Sequence, residues 1–298
     1  MIQNKQKKNL LLLALLATFL LLSSCSSSNG QTAGWFGGGS TSTTSSGSTN
    51  GVTLEFVDGN PPSEMFKSNR YNFAFVFKNY QKHAISDLQM KLEGYETSYV
   101  SGLNTEYSIS NIPKATDTAG PGVNSELVAE GVALDGFEGD YNFNPEFKYC
   151  YTATTTYREQ ICVPSTKNQC TITVEANKEQ NGPLTLTIDA INNLEDSVRL
   201  DFTITNSGSG KVVNECFNTD NYANEYSLGS VKLGGNEGNC EAVSGFQIAN
   251  NKASFYCTFP RTSGDESYAS QISVEFSYKY QQSLKKSIPV RDLTQNIK

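Results

Sequence analysis

Tyr71-Asn-Phe-Ala-Phe-Val-Phe-Lys-Asn79 decides the fold class. Tyr71, Phe73, Phe75 and Phe77 fall on one side of an extended chain, and Asn72, Ala74, Val76 and Lys78 on the other. That period of two marks a strand with one face buried; helical geometry would scatter the same aromatics around a cylinder. Leu88, Met90 and Leu92 repeat the pattern. So do Val198, Leu200, Phe202 and Ile204, and then Ile272, Val274, Phe276, Tyr278 and Tyr280. Short alternating runs separated by Gly, Asn, Asp and Pro read as antiparallel sheet. With 16 Phe and 15 Tyr against one Trp and three Met, the composition also suits strands, and the expected fold class is all-β.

Two pieces of the pattern recur. Phe75-Val-Phe77-Lys-Asn79 matches Phe202-Thr-Ile204-Thr-Asn206 at an offset of 127. Glu146-Phe147-Lys-Tyr149-Cys-Tyr151 matches Glu275-Phe276-Ser-Tyr278-Lys-Tyr280 at an offset of 129, each followed by an expected hairpin turn. Two matches in the same order suggest one unit copied. The units are residues 51–166 and 167–298, with the boundary in the polar stretch Pro164-Ser-Thr-Lys-Asn168. Units of that length with turns every 8–12 residues fit two tandem immunoglobulin-like β-sandwiches.

One family can be named on these residues. Arg199-Leu-Asp-Phe-Thr-Ile-Thr-Asn-Ser-Gly-Ser-Gly-Lys-Val-Val213 resembles the signature of cell-adhesion-related (CARDB-type) domains of prokaryotic surfaces, in which a hydrophobic strand runs into Asn-x-Gly. Leu54-Glu-Phe-Val-Asp-Gly-Asn-Pro-Pro62, followed by Phe73 to Asn79, is similar to the opening of such domains in archaeal surface proteins. Two departures stand out: Asn79 is followed by Tyr80-Gln81 rather than a glycine turn, and no Cys-Trp-Cys pattern of the antibody type is present. The resemblance implies a cell-surface β-sandwich and no particular ligand.

The N-terminus reads as a leader. Residues 1–9 are polar and carry Lys5, Lys7 and Lys8; Leu10 to Leu22 are apolar apart from Thr18. That core is too short to span roughly 30 Å of hydrocarbon comfortably and matches a signal peptide. Leu22-Ser23-Ser24-Cys25 then resembles a lipobox, which implies a signal peptide over residues 1–24 and a lipidated Cys25. Residues 26–50 are Ser, Gly and Thr almost throughout and cannot bury enough apolar surface to order themselves. They read as a flexible tether, in which Trp35 and Phe36 are tolerated aromatics. The expected localisation is therefore export, with anchorage to the outer face of the cytoplasmic membrane or cell envelope.

Beyond Cys25, 20 bases remain against 30 acids, a balance that argues against a nucleic-acid partner. Six further cysteines, an even number in an exported chain, read as disulfides. With a turn centred on Thr156, Cys150 and Cys162 would face each other across a hairpin. Cys170 with Cys216 and Cys240 with Cys257 is the preferred assignment for the rest. Zinc is not expected: the chain has no Cys-x-x-Cys and a single His, His83.

Nor is a catalytic set expected. His83 sits in a loop without a Gly-x-Ser-x-Gly partner motif, and no phosphate-binding glycine loop follows a strand into a helix. The acidic stretch holding Asp135, Glu138, Asp140, Asn142 and Asn144 offers oxygen ligands that could hold calcium, although a solvated strand edge explains it equally. No cofactor is implied. The leading expectation is a non-catalytic surface lipoprotein, acting in adhesion or envelope scaffolding on a protein or glycan partner. The alternative is a solute- or glycan-binding lipoprotein, with Tyr149, Tyr151, Tyr278 and Tyr280 as candidate pocket linings.

Overall fold

The computed structural model describes residues 51–164, 170, 178–218, 224–242, 247–261 and 266–296. The leader, Cys25, the tether with Trp35 and Phe36, and most of the expected domain boundary lie outside the described residues. No helix among the described residues is long and apolar enough to cross a membrane.

The first half carries β1 (Val52–Phe56), β2 (Met65–Phe66), β3 (Arg70–Asn79), β4 (Leu88–Glu93), β5 (Val100–Ser101), β6 (Glu106–Ile109), β7 (Gly122–Leu134), β8 (Tyr141–Phe143) and β9 (Glu146–Val163). The second carries β10 (Glu179–Asn181), β11 (Leu184–Asn193), β12 (Ser197–Asn206), β13 (Lys211–Val213), β14 (Asn224–Glu225), β15 (Ser227–Leu233), β16 (Asn236–Glu237), β17 (Asn239–Ala242), β18 (Gln247–Ile248), β19 (Lys252–Pro260), β20 (Tyr268–Lys285) and β21 (Ile288–Arg291). The fold is all-β and sandwich-like. Each half builds its own four-stranded sheet, ordered β1-β3-β7-β5 and β11-β12-β19-β17, the same order of chain positions twice.

The remaining large sheet is shared. Its order is β16-β15-β20-β9-β4-β6, with β9 and β20 side by side and antiparallel along their whole length. Beyond their own four-stranded sheets the two halves therefore share one sheet, and their buried residues form one core cluster. The end of the chain also crosses over: β21 lies between β2 and β8 of the first half, parallel to one and antiparallel to the other.

The long strands pack inward against the four-stranded sheets. Phe147 of β9 is fully buried, with ring centroids 4.8 Å from Phe75 and 5.4 Å from Phe56. In the second half Tyr226 bridges the layers, 5.9 Å from Phe276 of β20 and 6.4 Å from Phe255 of β19. Such aromatic clusters bury large area in preferred tilted and edge-on geometries.

The repeat is visible atom by atom. Asn79 ends β3, accepts from the Gln81 amide through Oδ1 (2.9 Å) and donates to the His83 carbonyl (2.7 Å). Asn206 ends β12, accepts from the Gly208 amide (3.2 Å) and donates to the Gly210 carbonyl (2.8 Å). Tyr151 accepts the amide of Val52, which pairs with Asn79; Tyr278 accepts that of Leu184, which pairs with Asn206. Both correspondences run at the offset of 127. The sequence match at 129 is thus two residues out of register, a slip that alternation hides because it keeps every side chain on its own face.

That register accounts for the missing glycine turn in the first half. Gly208 admits no side chain, since an added Cβ would meet the Tyr280 hydroxyl at 2.2 Å. At the matching places the first half has Gln81 and Ala153, both buried, with the Gln81 side-chain oxygen Oε1 accepting the Thr154 amide (3.0 Å). Bulk has moved from the strand to the turn.

The expected hairpin at Thr156 is corrected. No Gly, Pro, Asn or Asp interrupts Glu146 to Val163, and β-branched Thr154, Thr155 and Thr156 carry the strand straight through. Cys150 and Cys162 therefore share one face of one strand, on the order of 40 Å apart. Cys150 pairs with Cys216 and Cys162 with Cys170, while Cys240 pairs with Cys257, its neighbour across β17 and β19.

Candidate functional site

The four tyrosines proposed as a pocket lining belong to the core. Tyr149, Tyr151, Tyr278 and Tyr280 are at most 4% exposed. Tyr151 and Tyr280 face each other across the seam with centroids 6.2 Å apart, and Tyr278 shares a hydrogen bond with Thr155 (2.7 Å). Burial raises all four phenols above the ordinary tyrosine value, Tyr280 to about 12. An expected ligand platform is a structural joint: each hydroxyl has a partner inside the protein, and none is offered to a solute.

The acidic stretch after β7 is likewise used internally. Asp135 accepts from the Ser68 hydroxyl (3.0 Å) and the Gly136 amide (2.8 Å). Asp140 accepts from Arg291 (2.7 Å) and the Asp292 amide (3.1 Å), and the Asn144 amide donates to the Asn142 carbonyl (3.2 Å). Glu138 is exposed. Lys67 supplies the local cation: its ammonium reaches Asp292 (2.9 Å) and the Phe137 carbonyl (2.5 Å). Asp292 is buried, and bonds from Thr294 and then Lys67 hold its carboxyl down at about 2. No group of three or more metal-ligating side chains converges among the described residues. The cluster fastens β21 to the first half.

The joint has a polar side as well. On the face of β9 and β20 away from the core, Lys279 reaches Asp87 (2.5 Å), which also accepts the Thr152 hydroxyl (2.5 Å) and amide (3.2 Å). Burial alone would raise the Asp87 carboxyl, but the bonds from Lys279 and Thr152 outweigh it and hold the group below its usual range. A shallow, open depression borders this pair, lined by Thr152, Asn214, Glu225, Ser227 and Lys279. It holds no convergent set of acid, base and nucleophile. His83, the sole histidine, lies in its expected loop with its Nε2 shielded from solvent and unpartnered among the described residues.

What remains available is broad surface. The same outer face continues through Thr154, Thr156, Arg158 and Gln160 on β9 beside Ser277, Glu275, Ser273 and Gln271 on β20. The outer face of β11-β12-β19-β17 carries a connected network: Arg199 bonds Asp201 (2.7 Å) and stacks on Tyr256 (3.8 Å), whose hydroxyl donates to Glu241. The outer face of β1-β3-β7-β5 differs, with Ala74, Val76, Val123 and Leu127 among its residues.

No family model matches the chain, and no curated protein matches it. Among solved structures, the crystal structure of envelope protein VP37 from White Spot Syndrome Virus is similar at 9% identity, covering 45% of this chain and 98% of that one with a TM-score of 0.26. Nothing is drawn from a likeness of that size.

Proposed function

We propose that this chain is a non-catalytic surface lipoprotein, anchored through Cys25 and acting in adhesion or envelope scaffolding. In this reading each half is an immunoglobulin-like module, similar to the CARDB-type domains of prokaryotic surfaces. The observation that carries it is the burial of Tyr149, Tyr151, Tyr278 and Tyr280: the side chains best suited to line a pocket are core, and broad sheet faces are left to meet a partner. Three disulfides suit an oxidising compartment outside the cytosol.

Two measurements test the proposal. The intact mass of the mature protein is expected to start at Cys25 with a lipid added, and Cys25→Ser to release the protein or stall it as a precursor. A mature N-terminus elsewhere contradicts the anchor. Capture on the full chain from envelope proteins and glycans is expected to give a saturable macromolecular partner; turnover of a small substrate would contradict the non-catalytic reading.

A further inference from the structure

The two halves place the same sheet side by side with different surfaces, so each is a control for the other. On β3 and β12, Ala74 and Val76 correspond to Asp201 and Thr203 at the offset of 127. On the next strand Leu127 faces Ala74 as Tyr256 faces Asp201, and Val123 faces Lys78 as Lys252 faces Thr205. The fold thus accepts a polar face at these positions. In the first half the same positions carry Val123 at 50% and Leu127 at 49% exposed, two of the four exposed large hydrophobics among the described residues.

The edges differ in the same place. In the second half β17 closes the sheet beside Tyr256, pinned by Cys240–Cys257. In the first half β5 pairs with β7 only at Ala133 and Leu134, so Val123 to Val132 have no strand on that side among the described residues. Long open edges are ordinarily blunted by charge, bulges or shortness. The edge strand β11 has a register irregularity at Asp189, and β1, β6 and β16 are short. On β7 the irregularities come only beyond Leu127, which leaves Gly122 to Leu127 a regular stretch with uncharged Val123, Ser125 and Leu127 outward.

We propose that this edge is an interface for a second copy of the chain, pairing β7 with β7 antiparallel about a two-fold axis at Ser125. A two-fold perpendicular to the sheet requires a residue to face itself, and the regular stretch leaves few choices. Centring on Ser125 sets Val123 against Leu127 of the other copy and Asn124 against Glu126, an amide against a carboxylate. The same two groups already bond within one strand (2.9 Å). Glu130 meets Gly120, so no like charges oppose. Centring on Glu126 would oppose two carboxylates, which is unfavourable. The resulting junction repeats between chains what β9 and β20 do within one.

The test uses the full chain carrying Ser125→Cys. Residues facing each other across antiparallel strands lie about 4.5–5.5 Å apart, within disulfide reach. Mild oxidation is expected to convert most of the protein to a disulfide-linked dimer. Val123→Cys alone, about 13 Å from its own copy in this register, should give under a tenth of that yield. Mixing Val123→Cys with Leu127→Cys should restore it as a mixed dimer. Equal self-linking of Val123→Cys, a link to another protein or to residues 1–50, or no link from Ser125→Cys each overturns the proposal. Sedimentation of the unsubstituted full chain in detergent provides a check free of any variant: two copies per particle are expected, and a strict monomer at every concentration contradicts the pairing.

Discussion

At the scale of single residues, the hydroxyls of Tyr151 and Tyr278 do the same task in each half, accepting the first amide of an edge strand, β1 or β11, at 3.0 and 3.2 Å. Replacing either tyrosine by phenylalanine strands a buried donor and is expected to cost about 1–3 kcal/mol. Denaturant unfolding of the two variants should show losses of similar size; a neutral result at one position would break the equivalence. The raised phenol values carry a sign. A group held protonated by the fold stabilises it fully below the ordinary tyrosine value near 10, and that contribution is lost as pH rises toward the folded value. Alkaline unfolding starting above about pH 10 is expected, softened in Tyr280→Phe. Asp292 works in the opposite direction. Its lowered carboxyl stabilises the fold above about pH 4 and stops doing so as pH falls toward 2. Asp292→Asn should flatten the acid limb of the stability profile in that window; an unchanged limb would remove Asp292 from the fastening of β21.

At the scale of elements, what was readable depended on whether the signal was local. The alternation in Tyr71 to Lys78 and Ile272 to Tyr280 marks strands because the buried face imposes a period of two. The caps at Asn79 and Asn206 were legible as a repeated strand ending. The run from Cys150 to Cys162 misled: two cysteines twelve apart suggested a hairpin, although the absence of any turn residue between them favoured one strand. The internal use of the acidic stretch was not readable, because its counter-charges Lys67 and Arg291 come from distant parts of the chain. The cysteine pairs now separate by cost. Cys150–Cys216 closes 66 residues and Cys162–Cys170 closes 8. Chain entropy then gives about 4 kcal/mol for the first and about 2.5 for the second. Removing each pair to serine and measuring stability checks the order; equal losses would contradict it, and non-reducing peptide maps linking Cys150 to Cys162 would contradict the pairing itself.

At the scale of the whole molecule, the two halves are not two beads on a string. Each half keeps a private four-stranded sheet, but its long strand borrows the other half's long strand as a neighbour. Cys150–Cys216 spans the same joint covalently, Asp87 and Lys279 cross it on the polar face, and Tyr151 and Tyr280 cross it in the core. None of this was legible in the sequence, because strand-to-strand pairing over more than a hundred residues leaves no local periodicity. Alternation specifies which face a residue takes, not which strand lies beside it. The most direct measurement of the shared sheet is native-state hydrogen exchange on the amides of Ala153 and Thr155 and of Tyr278 and Tyr280, where β9 and β20 face each other; the amides of Thr152 and Thr154 bond the Asp87 and Gln81 side chains instead. The expected result is that both sets open together, at one common and near-global free energy. Fast exchange at either set, as from a free edge, or two well-separated opening energies, would contradict a single sheet spanning both halves.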